Sequence, residues 1–190
     1  FRPLVPPGTY TATLLANGEK HKTEIIVRAD PRIEMSQKEY EAQAEQLRQL
    51  NDLLSQTHQL INQSDLLLDQ LKALKQRAAL DKKGDDKTTL EAIAKAWKQL
   101  EALRDEWRRP PPNMGYRQRP RLREETLSLM YAIDGATARP TQPQLNRGIQ
   151  LQEETKTAMQ AFETLLSKEI ASLNQLLRDM PQLMVGPGKP

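Results

Sequence analysis

The chain has 190 residues, enough for one domain or two small ones, with two Trp, four Tyr, two Phe and no Cys. The missing Cys excludes a disulfide framework, an Fe–S cluster, a thiolate zinc site and a cysteine nucleophile. The net charge of +3 conceals one local cluster. Seven Arg between Arg104 and Arg123 stand against Asp105 and Glu106, so that stretch carries +5 and the remainder −2. A uniformly basic nucleic-acid binder is disfavoured, and no run of about 18 apolar residues offers a membrane span. The sequence opens on Phe1 with no basic-then-apolar leader, which reads as a trimmed or processed piece of something longer.

Residues 9–15 alternate Thr with Tyr10, Ala12 and Leu14, the period-two pattern of a half-buried strand. Asn17-Gly18 supplies the two positive-φ positions of a type I′ turn. The following run to Arg28 sets His21, Thr23, Ile25 and Val27 on one face, so a hairpin is predicted. A lone hairpin is marginal in water. Its apolar face either docks on a helical bundle or belongs to the last pair of strands of an Ig-like sandwich, and the Pro7-Gly8-Thr9-Tyr10 lead-in favours the sandwich. Residues 1–30 are therefore assigned to that hairpin and 31–35 to a linker, because Asp30-Pro31 ends the strand.

Ser36 and Glu39 form a capping box, and a helix is predicted over 36–80. Its apolar residues repeat in sevens in three adjacent files: Leu47, Leu54, Ile61 and Leu68; Leu53, Leu60, Leu67 and Leu74; Leu50 and Leu71 with Thr57 and Ser64 between them. Three files are too wide for the seam of a dimeric coiled coil, so this helix must pack against at least two others. The polar turn at 81–86 precedes a second helix over 88–109, with Thr88 and Glu91 as a capping box and a stripe of Leu90, Ile93, Trp97, Leu100, Leu103 and Trp107. Pro110 to Pro112 break it.

A short helix over 121–134 follows, with Leu122, Leu129, Met130 and Ile133 inward and Gly135 as its C′ residue. Thr141 and Gln144 cap the last helix, over 141–180. There Leu145, Met159, Leu166, Leu173 and Met180 run in sevens beside Ile149, Phe162, Ile170, Leu176 and Leu177. Residues 36–181 thus form the helical bundle and 182–190 a flexible tail. The predicted fold is mainly α: an elongated three-stranded bundle of four helical segments, its middle strand interrupted, preceded by the hairpin. A four-helix bundle with a folded-over middle is the alternative.

No constellation in the sequence points to catalysis, a cofactor or a metal. His58 lies near Ser55 and Asp65, but all three sit on one helix with no Gly-rich elbow, and His21 belongs to a strand. No Glu-x-x-His pair or phosphate-binding Gly motif is present. Glu124-Glu125 and Glu153-Glu154 face apart on their helices.

The feature left over is the Arg cluster. Arg108, Arg109, Tyr116, Arg117, Arg119, Arg121 and Arg123 form the candidate interaction patch. It is either a solvated loop paired with nearby acidic helix faces, a contact for an acidic protein, or a site where anions bind and Tyr116 stacks a base. Protein contact is expected over nucleic acid, and a monomeric bundle would satisfy the Leu stripes internally.

Pro7 to Thr11, Asn17-Gly18, Val27 to Arg32, Gly115 to Pro120, Leu122, Asp134 to Ala136 and Pro140-Thr141 together resemble the C-terminal region of large bacterial secreted proteins with sortilin-like, BNR-type β-propellers, often labelled glycosyl hydrolases. The likeness spans most of the chain. It implies export to the periplasm or beyond, and upstream domains of the same polypeptide as partners. A glycosidase needs two facing carboxylates in a cleft, which these 190 residues do not offer, so the hydrolase label would describe nothing in them. The expectation is a non-catalytic structural and protein-interaction module. The alternative is anionic-ligand or nucleic-acid binding through 104–123.

Overall fold

The computed structural model describes residues 5–80, 87–111, 118–177 and 183–186, the side chains of 79 and 80 excepted. The polar turn at 81–86, Pro112, Tyr116, Arg117 and Met180 lie outside the described residues. The chain is mainly helical, with a two-stranded antiparallel hairpin ahead of four helical segments.

Strands β1 (Gly8–Ala16) and β2 (Glu19–Val27) pair with Tyr10 opposite Ile25 and Leu14 opposite His21. Asn17 at φ 51° and Gly18 at φ 84° make the tight turn, as the dipeptide predicts. Helices α1 (Gln37–Leu80), α2 (Lys87–Trp107) and α3 (Leu122–Asp134) follow. The last helix is α4 (Gln142–Leu165), a π-helical turn at Leu166–Ile170, and α5 (Ala171–Leu176).

Two compact units cut across these helices, one comprising Phe1–Asp52 with Ser128–Ile149, the other Leu53–Leu127 with Gln150–Pro190. In the first, Leu47 and Leu50 of α1 are buried, as are Leu129, Met130 and Ile133 of α3. The α3 end is closed by Gln43, whose Nε2 donates to the Ile133 carbonyl at 2.7 Å and the Ala136 carbonyl at 3.0 Å. Gln43 thereby adds a second donor to the Ile133 carbonyl, which also takes the Ala136 N–H, and supplies one to the Ala136 carbonyl just past the helix. Gly135 directly follows α3 and donates its N–H to the Tyr131 carbonyl without adopting positive φ.

The same unit holds two helix starts. Glu39 accepts the Ser36 N–H and hydroxyl, both at 2.8 Å, and these bonds hold its carboxyl below the usual range. Gln144 Oε1 accepts the Thr141 N–H at 2.8 Å, the back-reaching half of a capping box. Thr88, by contrast, lies inside the first turn of α2, because Lys87 is already helical and pairs with Glu91.

In the second unit every remaining member of the three α1 files is buried: Leu53, Leu54, Thr57, Leu60, Ile61, Ser64, Leu67, Leu68, Leu71 and Leu74. Burying one Leu side chain is worth about 2 kcal/mol, so this stripe is a main source of the unit's stability. The facing residues of α2 are Thr89, Ile93, Ala96, Leu100 and Trp107. Leu90, Trp97 and Leu103 are only half-buried, one step around the helix from the predicted stripe. Trp107 meets Phe162 edge to face, with centroids 5.7 Å apart.

The predicted register of the last helix is wrong over α4. Its buried positions are Gly148, Leu151, Thr155, Ala158, Phe162 and Leu165, while Ile149 and Met159 are exposed. After the π turn the buried set becomes Ile170, Leu173 and Leu177, with Leu176 exposed. The spacing of five from Leu165 to Ile170 marks the change of register. A π turn inserts one residue into the helical ladder and so turns everything after it. Counting in sevens back from Leu173 without that insertion lands on Leu166 and Met159, one residue past Leu165 and Ala158.

Candidate interaction surface

The described Arg residues between Arg104 and Arg123, which include those of the candidate patch, divide into two groups. Arg108 Nη1 lies 3.1 Å from Asp65 Oδ2, and Arg104, with 17% of its side chain exposed, contacts Asp65 Oδ1 at 3.4 Å and Asp105 at 3.1 Å. Arg123 pairs with Glu124 at 2.8 Å. Arg109, Arg119 and Arg121 have exposed side chains. Half of the described cluster is therefore spent on carboxylates of its own unit, the paired-loop reading. Three cations face solvent.

Glu124 organises both flanks of the Pro-rich stretch. Its Oε2 accepts the Arg109 N–H at 3.0 Å and the Arg121 N–H at 3.1 Å, while Oε1 takes the Arg123 guanidinium. Gln118 Nε2 adds a bond to the Pro111 carbonyl at 3.1 Å. The Arg121 bond is the back-reaching half of a capping box whose N-cap is not Ser or Thr, which is why the sequence motif missed it.

His58 is held below the usual imidazole range, first by partial desolvation and then by the Arg123 charge. Among the described residues no group of three His, Asp or Glu side chains is arranged to hold a metal ion.

Two apolar surfaces remain, of which the sequence foretold only the hairpin's. Between α2 and α4 lies an apolar groove of about 370 Å³, with Ala102, Leu103, Ala161 and Leu165 among its lining residues. Small Ala side chains on facing helices were the signal for it. Gln99, which also lines it, has a buried Oε1 with no hydrogen-bond partner among the described residues. The second surface is the hairpin. Tyr10 is half-buried and donates its hydroxyl to the Pro6 carbonyl at 2.7 Å, but Leu14, Leu15, Ile25 and Ile26 are 49–66% exposed and occupy both faces.

The sequence matches no protein-family model, and no curated protein or solved structure is significantly similar to it.

Proposed function

We propose that the chain is a non-catalytic structural and protein-interaction module of a larger exported protein, joined to neighbouring domains of the same polypeptide through its hairpin. The observation that carries this reading is the hairpin's exposed apolar surface. Four large aliphatic side chains on two faces of an isolated two-stranded sheet cost solvation free energy, and further strands would remove it. The Pro7-Gly8-Thr9-Tyr10 entry and its resemblance to the closing strands of an Ig-like domain support strands as the cover and export as the setting. The helical core, filled by its own Leu files, supports a module that keeps its shape while joined to others.

Amide hydrogen exchange tests this reading. In the 190-residue chain the amides of Thr11–Leu15 and Glu24–Ile26 should exchange far faster than those of Leu60–Leu71. In a longer product that includes the preceding domain, protection of the hairpin should rise at least about a hundredfold. Equal protection of hairpin and α1 in the 190-residue chain, or no gain in the longer one, overturns the reading. A steeply salt-dependent affinity for an oligonucleotide, abolished by replacing Arg109, Arg119 and Arg121 with Ala, would replace it with the anionic-ligand alternative.

A further inference from the structure

Residues 183–186 occupy a stretch where the sequence suggests only a tail. Instead, the main-chain groups of two consecutive residues are held by side-chain amides from two different helices. Asn174 of α5 donates Nδ2–H to the Leu183 carbonyl at 3.1 Å and accepts the Leu183 N–H on Oδ1 at 2.8 Å. Gln70 of α1 donates Nε2–H to the Met184 carbonyl at 2.8 Å and accepts the Met184 N–H on Oε1 at 2.9 Å. Each amide makes the paired donor and acceptor bonds that a neighbouring β-strand would make. Leu183 is buried at 5% exposure, while Met184 is 72% exposed.

This chemistry reads backbone. Four bonds to main-chain groups are indifferent to side-chain identity, and only the Leu183 position selects, for an apolar residue of that size. The hold on the segment is also limited. One buried side chain and four bonds, the Gln70 pair exposed to water, must offset the entropy of fixing the segment. A segment so held opens locally far more often than the helices that hold it.

We propose that the Gln70 and Asn174 amides, on α1 and α5, form a binding site for an extended peptide with a Leu-sized anchor, and that Leu183–Gly186 is its resident, exchangeable occupant. The occupant in trans is the same segment offered by a second copy. The Asn174 amide, less exposed than that of Gln70, supplies the larger share of recognition.

The probe is a fluorescein-labelled octapeptide, Pro-Gln-Leu-Met-Val-Gly-Pro-Gly, which repeats residues 181–188. Leu183→Asp in the full chain empties the site, since burying a carboxylate at the Leu183 position is costly. Fluorescence anisotropy should show saturable binding to this variant and at least about tenfold weaker binding to the unmodified chain, whose own segment competes at high effective concentration. Adding Asn174→Ala should weaken binding roughly tenfold or more, Gln70→Ala less, and a probe with Asp at its Leu position should not bind. A cooperatively folded Leu183→Asp chain that fails to bind the probe overturns the proposal, as does binding that ignores Asn174 or is equal in the unmodified chain. If Leu183→Asp melts without cooperativity, the unmodified chain carrying a protease site inserted after Met180 is folded, cut and mixed with the probe. Exchange of the cut segment for the probe supports the site, and its retention or loss without uptake overturns it.

Discussion

Glu124 Oε2 lies 3.0 Å from the N–H of Arg109, fifteen residues earlier, and the same oxygen accepts the N–H of Arg121. One carboxylate therefore fixes the two backbone points between which the Pro-rich stretch must run. Its side chain is only 15% exposed, so removing it leaves two amides without their acceptor and Arg123 without its partner. Glu124→Ala should cost about 1–3 kcal/mol and lower Tm by several degrees. Amide exchange at Arg109 and Arg121 and tryptic cleavage between them should accelerate together. Glu124→Gln, which keeps an acceptor oxygen, should recover part of the protection. If Ala and Gln behave alike, the bonds to the two N–H groups carry no weight.

Asp65 faces two guanidinium groups, and the size of its contribution follows from exposure. Asp65 is 37% exposed, so solvent screens the pairs, and Arg104 retains Asp105 and Glu101 when Asp65 is lost. Asp65→Asn should therefore cost no more than about 1 kcal/mol. A double-mutant cycle with Arg108→Gln should return a coupling of roughly 0.5–1 kcal/mol that falls as salt is raised. A coupling above about 2 kcal/mol would mean that the pair is far less solvated than its geometry indicates.

The heptads of α1 were fully legible in the sequence because nothing interrupts that helix, and all twelve positions of its three files are buried. The hairpin was equally legible, since Asn17-Gly18 leaves the backbone little choice. The last helix was misread by one residue because a π turn makes no local signal in composition. Only the jump from Leu165 to Ile170 betrays it, and that is visible only when the two flanking seams are known separately. Pairing of the Arg cluster with acidic helix faces was foreseeable, but its long-range partner Asp65 and the Gln70–Met184 bonds were not legible, since they join residues that only the fold brings together.

That π turn yields a deletion test. Removing the exposed Ser167 would restore spacings of four, three and four from Leu165 through the present Ile170, Leu173 and Leu177, the register of an unbroken α-helix. The deletion should leave Tm within about 4 °C of the parent, which corresponds to roughly 1–2 kcal/mol in a chain of this size. Inserting one Ala after Ala158 should be far worse, because it turns Phe162 and Leu165 off the core by about 100°. Equal damage from both changes would show that the extra residue is not what realigns the seam.

His58 gives a pH dependence whose sign is fixed by its depressed pKa. In the folded chain desolvation and the neighbouring Arg123 disfavour the charged imidazole, while the unfolded chain protonates it at the ordinary value near 6.5. Below that pH the unfolded state binds more protons, so stability is lost as pH falls from about 6.5 through the lower folded value. Tm should drop slightly between pH 7.5 and 5.5, a window above the carboxylate range. His58→Gln should flatten that drop. An unchanged slope in the variant would assign the effect to other groups.

The buried hydroxyls make the last prediction. Thr57, Thr126 and Thr155 are 0–1% exposed, and each donates to the carbonyl four residues earlier, those of Leu53, Leu122 and Leu151, at 2.8–2.9 Å. Those carbonyls belong to the helical ladder, so each hydroxyl satisfies itself without supplying a bond the backbone needs. Replacing the hydroxyl by a methyl removes a buried polar group together with its only bond, which is close to neutral or favourable when shape is preserved. Thr57→Val, Thr126→Val and Thr155→Val should each leave stability unchanged or raise it by up to about 1 kcal/mol. Thr→Ala at the same sites should cost about 1 kcal/mol or more through lost packing. The contrast is read from urea midpoints of the six variants. If any Val variant falls as far as its Ala counterpart, that hydroxyl serves a partner beyond its own helix.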